Sequence, residues 1–430
     1  MNIDLIVTHV VAAIAVILGL SYGFGQLSRR LRQPEVIGQL FVGIALGPSL
    51  LGHFSPRLEH TIFPVSIGAF LNVTAQVALV LFLFSVGYEL NVQLLHRLRR
   101  TVSAVSAAGF VVPMLLGIAS AWAFGNWYRA AGESGARSGS FMIFMGVAVS
   151  ITAVPVLASI IRERGIAPTP AGVTAMTSAA LIDALGWLAL AGVLLMAAAS
   201  SSSHRPWPVT VLLLIVYVFA MAFPVRRALT YWMNRRDAVL ADKVPVAVAV
   251  AMGSAWATAA LGLHVIFGAF LAGLIMPRQA NGQPDADLLR PIQDIGRLLL
   301  PVFFVVSGLS ANVALLRASD FALFGVICLI AIVGKIGAGL FAARATKMSL
   351  PDSAAVGVLL NTRGLTELIA LNVALQAAII HQRLYTILVL MALLTTAVTS
   401  PLLSFICNRW PISEAPAPPV SAPDPVIIDN

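Results

Sequence analysis

Residues 87-GYELNVQLL-95 and 308-GLSANVALL-316 match at glycine, asparagine, valine and both final leucines, and each closes a long apolar run. A second pair of apolar runs, residues 38–48 and 268–277, each carries two glycines five positions apart followed by a proline. In both pairs the second apolar run comes seven runs after the first along the chain. The sequence therefore predicts two copies of one structural repeat.

The composition indicates a membrane protein. The chain has 430 residues, of which 59% are hydrophobic and only 10% are charged. A soluble domain is about a quarter charged, so this chain has too few charges to cover a water-soluble surface. The net charge of +9 does not indicate nucleic-acid binding, because the basic residues lie in short clusters between apolar runs. The two cysteines lie in apolar runs and give neither a disulfide framework nor the spacing of a transition-metal site.

Thirteen apolar segments organise the chain as an all-α polytopic membrane protein. Most are longer than the roughly 20 residues that a helix needs to cross a bilayer. Segments 2 and 9 are short and glycine-rich, so whether they cross fully stays open. Segments 1 to 13 cover approximately residues 4–27, 34–51, 63–90, 101–125, 139–161, 171–199, 208–225, 244–261, 264–277, 291–316, 320–343, 353–380 and 384–408.

The matching stretches pair segment 2 with segment 9 and segment 3 with segment 10. This pairing predicts two six-helix repeats, about 4–199 and 244–408, joined by a linker helix at 208–225. Because the linker crosses once, the second repeat is inverted relative to the first, which is typical of secondary transporters. The membrane domain is expected to cover residues 1–409, and the Pro- and Ala-rich stretch 410–430 is expected to be a disordered tail.

Arginine and lysine predict the orientation. One set of alternate loops and the C-terminal flank holds 18 of these residues, and the other set holds 6. Cytoplasmic loops carry the excess of basic residues. The N-terminus is therefore expected on the outer side of the plasma membrane, and the C-terminus is expected in the cytoplasm. In a bacterial-type cell this membrane is the inner membrane.

Ionisable residues within the apolar segments are the first candidates for function, because they are energetically unfavourable inside a membrane. Asp183 lies in segment 6, and either pairs permanently with Lys335 or faces water and binds a proton or a small cation. Lys335, in segment 11, either neutralises an acid or the C-terminal end of a broken helix, or takes part in transport. Arg363 and Glu367 in segment 12 are four residues apart and form either an intrahelical ion pair or part of a transport site.

Two segments carry helix-breaking sequences at corresponding places in the repeats. Segment 5 contains 150-SITAVP-155 and segment 12 contains 361-NTRG-364. Proline removes a backbone donor, and a broken span exposes carbonyl groups that can bind cations. A crossed pair of broken helices beside Asp183 is therefore expected to form a cation site, with the Thr152 hydroxyl as a further ligand.

These motifs resemble the cation/proton antiporter-2 family. The resemblance is carried by 150-SITAVPVL-157, by Asp183 followed by Trp187, and by 264-HVIFGAFLAGLIMP-277. The stretch 361-NTRGLTELIALN-372, followed by 387-ILVLMALLTT-396 and a proline, is most similar to the plant cation/proton exchanger branch.

The resemblance implies exchange of a monovalent cation, K⁺ or Na⁺, for protons by alternating access, without a cofactor. It also implies a homodimer in the lipid bilayer, with a dimerisation bundle and a mobile core. By the family's pattern Asp183 binds the cation or proton, residues 152–155 form the unwound crossing that includes Ala153 and Pro155, and Lys335 is the core base. Asn361, Arg363 and Glu367 are expected to support the core, with the monovalent cation at Asp183.

Two departures from the family's pattern bear on stoichiometry. Electrogenic relatives carry two adjacent acids in segment 6, whereas Ile182 precedes Asp183 here; some branches have an aspartate where Ala153 stands. One acidic ligand predicts electroneutral exchange of one cation for one proton. A cation channel or uniporter on the same scaffold, and a sodium-coupled organic-anion symporter, are the alternatives, and the choice between Na⁺ and K⁺ stays open.

Overall fold

The computed structural model describes residues 3–31, 33–89, 100–133, 135–200, 207–233, 240–261, 264–279 and 282–410. Within these ranges the regular structure is helical throughout. Residues 90–95 of the first quoted stretch and residues 411–430 of the expected tail lie outside them.

The helices follow the thirteen apolar segments. Within the described residues, twelve helical spans are long and apolar enough to cross a membrane, and the helix of segment 9 is shorter. An exact count of thirteen crossings stays a prediction. The helices of the unbroken segments are Ile3–Arg30, Glu35–Leu46, Gly68–Glu89, Arg100–Ala123, Pro170–Ser200, Trp207–Ala220, Leu240–Ala260, Val265–Ile275, Ala286–Leu309, Ala318–Ala345 and Gln382–Arg409.

Segments 5 and 12 are broken in the middle, as the sequence predicts. Segment 5 consists of segment 5a (Gly139–Ser150) and segment 5b (Val154–Glu163). Segment 12 consists of segment 12a (Leu350–Leu360) and segment 12b (Leu365–Gln376). Residues 352–371 of segment 12 are all buried, so its break lies within the helix bundle.

Some helix ends differ from the sequence prediction for local reasons. Segment 10 begins at Ala286, because the Asp285 side chain accepts a hydrogen bond from the Asp287 N–H and caps the helix. Segment 7 continues beyond residue 225 through a wider π turn, Met221–Val225, into the helix Arg226–Met233. That turn contains Pro224, which cannot donate the regular helical hydrogen bond.

The helices pack as two groups. Segments 4, 5, 6, 11, 12 and 13 pack around the two breaks and form the core group. Segments 1, 2, 3, 8, 9 and 10 pack against one another and form the panel group. The functional site lies where the core group faces the panel group.

The glycines of the quoted motifs bring the two halves of the panel group together. A methyl group added to Gly43 would lie 2.7 Å from the Cα atom of Gly308, and one added to Gly273 would lie 3.0 Å from the carbonyl carbon of Gly87. Segment 2 thus packs closely against segment 10, and segment 9 packs closely against segment 3. This pattern is what an inverted repeat produces, and the inverted relation itself stays a prediction.

Candidate functional site

The two helix breaks cross and bind one another. The Ala153 N–H donates to the Thr362 carbonyl at 3.1 Å, and the Thr152 hydroxyl donates to the Leu360 carbonyl at 3.1 Å. Pro155 is the second residue of segment 5b and has no N–H, so this helix cannot extend back to Ile151. The break is therefore fixed by the sequence and held by hydrogen bonds between segments 5 and 12.

Lys335 donates hydrogen bonds to backbone carbonyls that lack a donor from their own helix. Its buried Nζ atom donates to the Ser150 carbonyl, to the Gly109 carbonyl at 3.0 Å and to the Thr152 hydroxyl at 2.7 Å. Ser150 ends segment 5a, and Gly109 lies four residues before Pro113 in segment 4, so neither carbonyl has its helical donor. All three ammonium donors are used. The structure thus places Lys335 at the end of a broken helix, one of the positions left open by the sequence.

Arg363 completes the neutralisation of the same helix end. Its guanidinium donates to the Ala148 carbonyl at 2.7 Å and to the Val149 carbonyl at 2.6 Å. It also forms an ion pair with Glu367 at 3.0 Å, and both side chains are completely buried. The last three carbonyls of segment 5a therefore bind two cationic side chains, which is a favourable arrangement at the negative end of a helix.

Asn361 anchors the second break to segment 13. Its side-chain amide donates to the Thr395 carbonyl at 3.1 Å and to the Thr399 hydroxyl at 3.4 Å. Asn361, Arg363, Glu367 and Lys335 thus lie together around the crossing, and their contacts hold its shape.

Asp183 differs from these groups because no described cationic side chain binds it. It lies in the middle of segment 6, is only 5% exposed, and forms no ion pair with any described residue. Its Oδ1 atom has no hydrogen-bond partner among the described residues. Permanent pairing with Lys335, one of the two alternatives, is therefore not the arrangement in the structure.

Asp183 lines a cavity of about 600 Å³ between the core group and the panel group. The cavity reaches exposed polar side chains at one end of the bundle, where Gln293 donates to the Glu89 carboxylate at 2.7 Å. Arg297 lies at the same end, and Pro155, at the start of segment 5b directly after the break, lines the cavity wall. The cavity therefore connects this end of the protein with the Asp183 carboxyl.

Hydrogen bonds close the opposite end of the boundary between the two groups. The Tyr385 hydroxyl donates to the Ser307 carbonyl at 2.9 Å, and the Asn372 side chain donates to the Ser307 hydroxyl at 2.8 Å. The Gln382 side chain donates to the Ser310 carbonyl at 3.2 Å. We call these five residues the polar latch, which joins segment 10 of the panel group to segments 12 and 13 of the core group.

Thr152 and Ala153 lie at the crossing, where the Thr152 hydroxyl both donates to a carbonyl and accepts from Lys335. The sequence reasoning missed Thr366, a buried residue in the first turn of segment 12b whose hydroxyl faces the Asp183 carboxyl. Its only signal in the sequence was its place directly after the break.

Comparison with known proteins assigns the family. The family model described as sodium/hydrogen exchanger, transmembrane, matches residues 12–409. The chain is 35% identical over 398 residues to the Na(+)/H(+) antiporter NhaS4 of Synechocystis sp., which covers 91% of this chain and 96% of that protein. It is 34% identical to cation/H(+) antiporter 18 of Arabidopsis thaliana over 93% of this chain and 49% of that protein. It is 31% identical to K(+)/H(+) antiporter 1 of Saccharomyces cerevisiae over 87% of this chain and 44% of that protein.

The chain thus spans about half the length of the Arabidopsis and yeast relatives. Among solved structures, it resembles the sodium proton antiporter MjNhaP1 from Methanocaldococcus jannaschii at pH 8, with a TM-score of 0.68. That match has 15% sequence identity and covers 94% of this chain and 99% of the other, so it supports the fold. On the family match and the similarity to NhaS4, this chain belongs to the sodium/hydrogen exchanger family of transmembrane proteins.

Proposed function

We propose that this chain exchanges a monovalent cation, Na⁺ or K⁺, for protons by alternating access, and that Asp183 binds either ion. The observation that carries the proposal is the unpaired, buried carboxyl group at a cavity that reaches one end of the protein. The names of the relatives, which include Na⁺/H⁺ and K⁺/H⁺ antiporters, support the same exchange.

A single carboxylate is sufficient for exchange because a proton and a cation compete for its one negative charge. Lys335 and Arg363 are bound to helix carbonyls, and Glu367 is bound to Arg363. Their charges therefore remain in place while Asp183 changes its occupant. We infer an electroneutral exchange of one cation for one proton, in which the buried neighbour Ile182 contributes no second acid.

The break in segment 5 offers uncharged ligands next to Asp183. Lys335 already engages the Thr152 hydroxyl, so the backbone carbonyls of residues 151–153 are the groups that segment 5 can present to an ion. Pro155 keeps this stretch outside the helix. Thr152 and Ala153 thus contribute through their main chain in this proposal, while their hydrogen bonds to segment 12 keep the crossing rigid.

The cavity and the polar latch together correspond to one of the two states that alternating access requires. The loops richer in arginine and lysine lie at the cavity end, so we assign this end to the cytoplasm. The polar latch is then on the outer side, and Asp183 is accessible from the inside. Transport requires the core group to move against the panel group, which breaks the polar latch and closes the cavity.

The cellular setting follows from the same assignment. We place the protein in the plasma membrane, with the N-terminus outside and the C-terminus in the cytoplasm. We further propose a homodimer formed through the panel group, as the family resemblance implies. The lipid bilayer and the two exchanged ions complete the set of partners.

Proteoliposomes that contain a pH-sensitive dye test the proposed exchange. Adding Na⁺ or K⁺ outside should move protons out of the lumen, and Asp183→Asn should abolish this movement while inserting normally. The exposed Asp287→Asn variant is the matched control and should transport like the parent protein. Cation flux without proton movement would instead indicate a channel or uniporter, and a requirement for an organic anion would indicate a symporter.

A further inference from the structure

We propose that the Thr366 hydroxyl is a direct ligand of the cation at Asp183 and raises the affinity for the cation relative to the proton. This inference rests on the exchange proposed above and adds a residue to the same site. Thr366 is 1% exposed, segment 12b packs against segment 6, and the Thr366 hydroxyl is a hydrogen-bonding neighbour of the Asp183 carboxyl.

The side-chain oxygens of this pair have no partner other than each other. Apart from their mutual contact, neither Thr366 Oγ1 nor Asp183 Oδ1 has a hydrogen-bond partner among the described residues. Buried polar atoms in proteins are almost always paired. By contrast, the Thr362 hydroxyl donates to the Leu359 carbonyl at 2.9 Å, and the Thr396 hydroxyl donates to the Arg363 carbonyl at 2.8 Å. Thr366 thus differs from these neighbouring threonines, although the buried Ser353 hydroxyl in segment 12a also lacks a partner among the described residues.

The helix crossing explains why Thr366 has no partner in its own helix. A threonine in a helix usually donates to the carbonyl three or four residues earlier. For Thr366 these are the carbonyls of Arg363 and Thr362. The first accepts from the Thr396 hydroxyl at 2.8 Å, and the second accepts from the Ala153 N–H at 3.1 Å. Each of these carbonyls thus already accepts one hydrogen bond at the crossing, and the Thr366 hydroxyl donates to neither.

The chemistry of a hydroxyl group suits both states of the carboxyl. A hydroxyl oxygen carries lone pairs that can bind a hard cation, and its hydrogen can donate to a carboxylate. When the cation leaves and Asp183 takes up a proton, the same oxygen can accept the hydrogen bond of the protonated acid. Because threonine remains neutral throughout, this ligand can change cation affinity without changing the charge moved in a cycle.

Three variants at this position separate a ligand from a packing residue. Thr366→Val keeps the shape and removes the hydroxyl, Thr366→Ser keeps the hydroxyl, and Thr366→Ala removes both the hydroxyl and the methyl group. The matched control is Thr258→Val in segment 8, because Thr258 is buried and donates within its own helix. The measurement is the cation concentration that gives half-maximal proton movement in dye-loaded proteoliposomes, for Na⁺ and K⁺ separately.

We expect Thr366→Val and Thr366→Ala to raise the half-maximal cation concentration by about threefold to tenfold, the usual effect of one lost polar contact. Thr366→Ser and the Thr258→Val control should stay close to the parent protein. Unchanged affinity in Thr366→Val would overturn the inference. Equal weakening in the Ser and Val variants would also overturn it, because that result requires a packing role.

The Asp183→Asn variant separates this inference from the proposed function. If Asp183→Asn still exchanges cations for protons, the proposed site itself is wrong. If Asp183→Asn is inactive while the hydroxyl-free Thr366 variants keep the parent affinity, only the role of Thr366 is wrong. If Thr366→Val does not insert, the comparison between Ala and Ser gives the same decision.

Discussion

Replacing Lys335 with methionine tests whether this residue stabilises the helix crossing. Methionine has a similar length but cannot donate a hydrogen bond. The change leaves the carbonyls of Gly109 and Ser150 without the donor that they have in the structure. A buried carbonyl without a partner costs about 1–3 kcal/mol, so two of them should lower the free energy of unfolding by about 2–6 kcal/mol.

The actual loss is expected near the lower end of that range, because the variant no longer has to bury an ammonium group. Thermal unfolding of the detergent-purified protein, followed by intrinsic fluorescence, measures the effect. Lys347→Met is the matched control, because Lys347 is exposed in the connection between segments 11 and 12. It should melt like the parent protein.

One result would refute the reasoning about Lys335. If Lys335→Met melts at the temperature of the parent protein but loses transport, the ammonium group is not needed to hold the crossing. Lys335 would then act in the exchange itself, by releasing and taking up a proton. The one-for-one stoichiometry would have to be abandoned with it.

Further variants and conditions test the break, the charge balance and the polar latch. Pro155→Ala supplies an N–H that can bond the Ile151 carbonyl and so extend segment 5b. The apparent cation affinity measured by flux should therefore weaken more than the pH midpoint of activity shifts. An unchanged affinity would mean that Pro155 only shapes the packing of the helix. Clamping the membrane potential with valinomycin should leave the exchange rate unchanged at fixed ion gradients, whereas a voltage-dependent rate would show that a second group titrates. Ser310→Cys combined with Gln382→Cys, in a background without the two native cysteines, should stop exchange when a short thiol cross-linker joins them and recover with reductant. Continued exchange after complete cross-linking would contradict a moving core group.

The sequence predicted features that depend on local chemistry. The breaks in segments 5 and 12 follow from proline and glycine within apolar runs, and both are present in the structure. The four ionisable residues that were selected as candidates, Asp183, Lys335, Arg363 and Glu367, are all buried around the crossing or at the cavity. Helix ends were less predictable, because a cap such as Asp285 depends on the side-chain geometry of a single turn.

Partners could not be predicted where they depend on contacts between distant parts of the chain. Lys335 bonds a carbonyl 185 residues away, and Arg363 bonds one 215 residues away. Sequence alone left the roles of both residues open for this reason. Thr366 was missed because its nearness to Asp183 depends on the packing of segment 12b against segment 6.

Proton release on cation binding tests the central claim most directly. The purified protein is placed in a weakly buffered solution, at a pH where the Asp183 carboxyl is protonated, and Na⁺ or K⁺ is added. If a proton and a cation compete for Asp183, saturating cation should release about one proton per chain, and Asp183→Asn should release none. Release that persists in Asp183→Asn, or cation binding by the parent protein without release of a proton, would contradict the account.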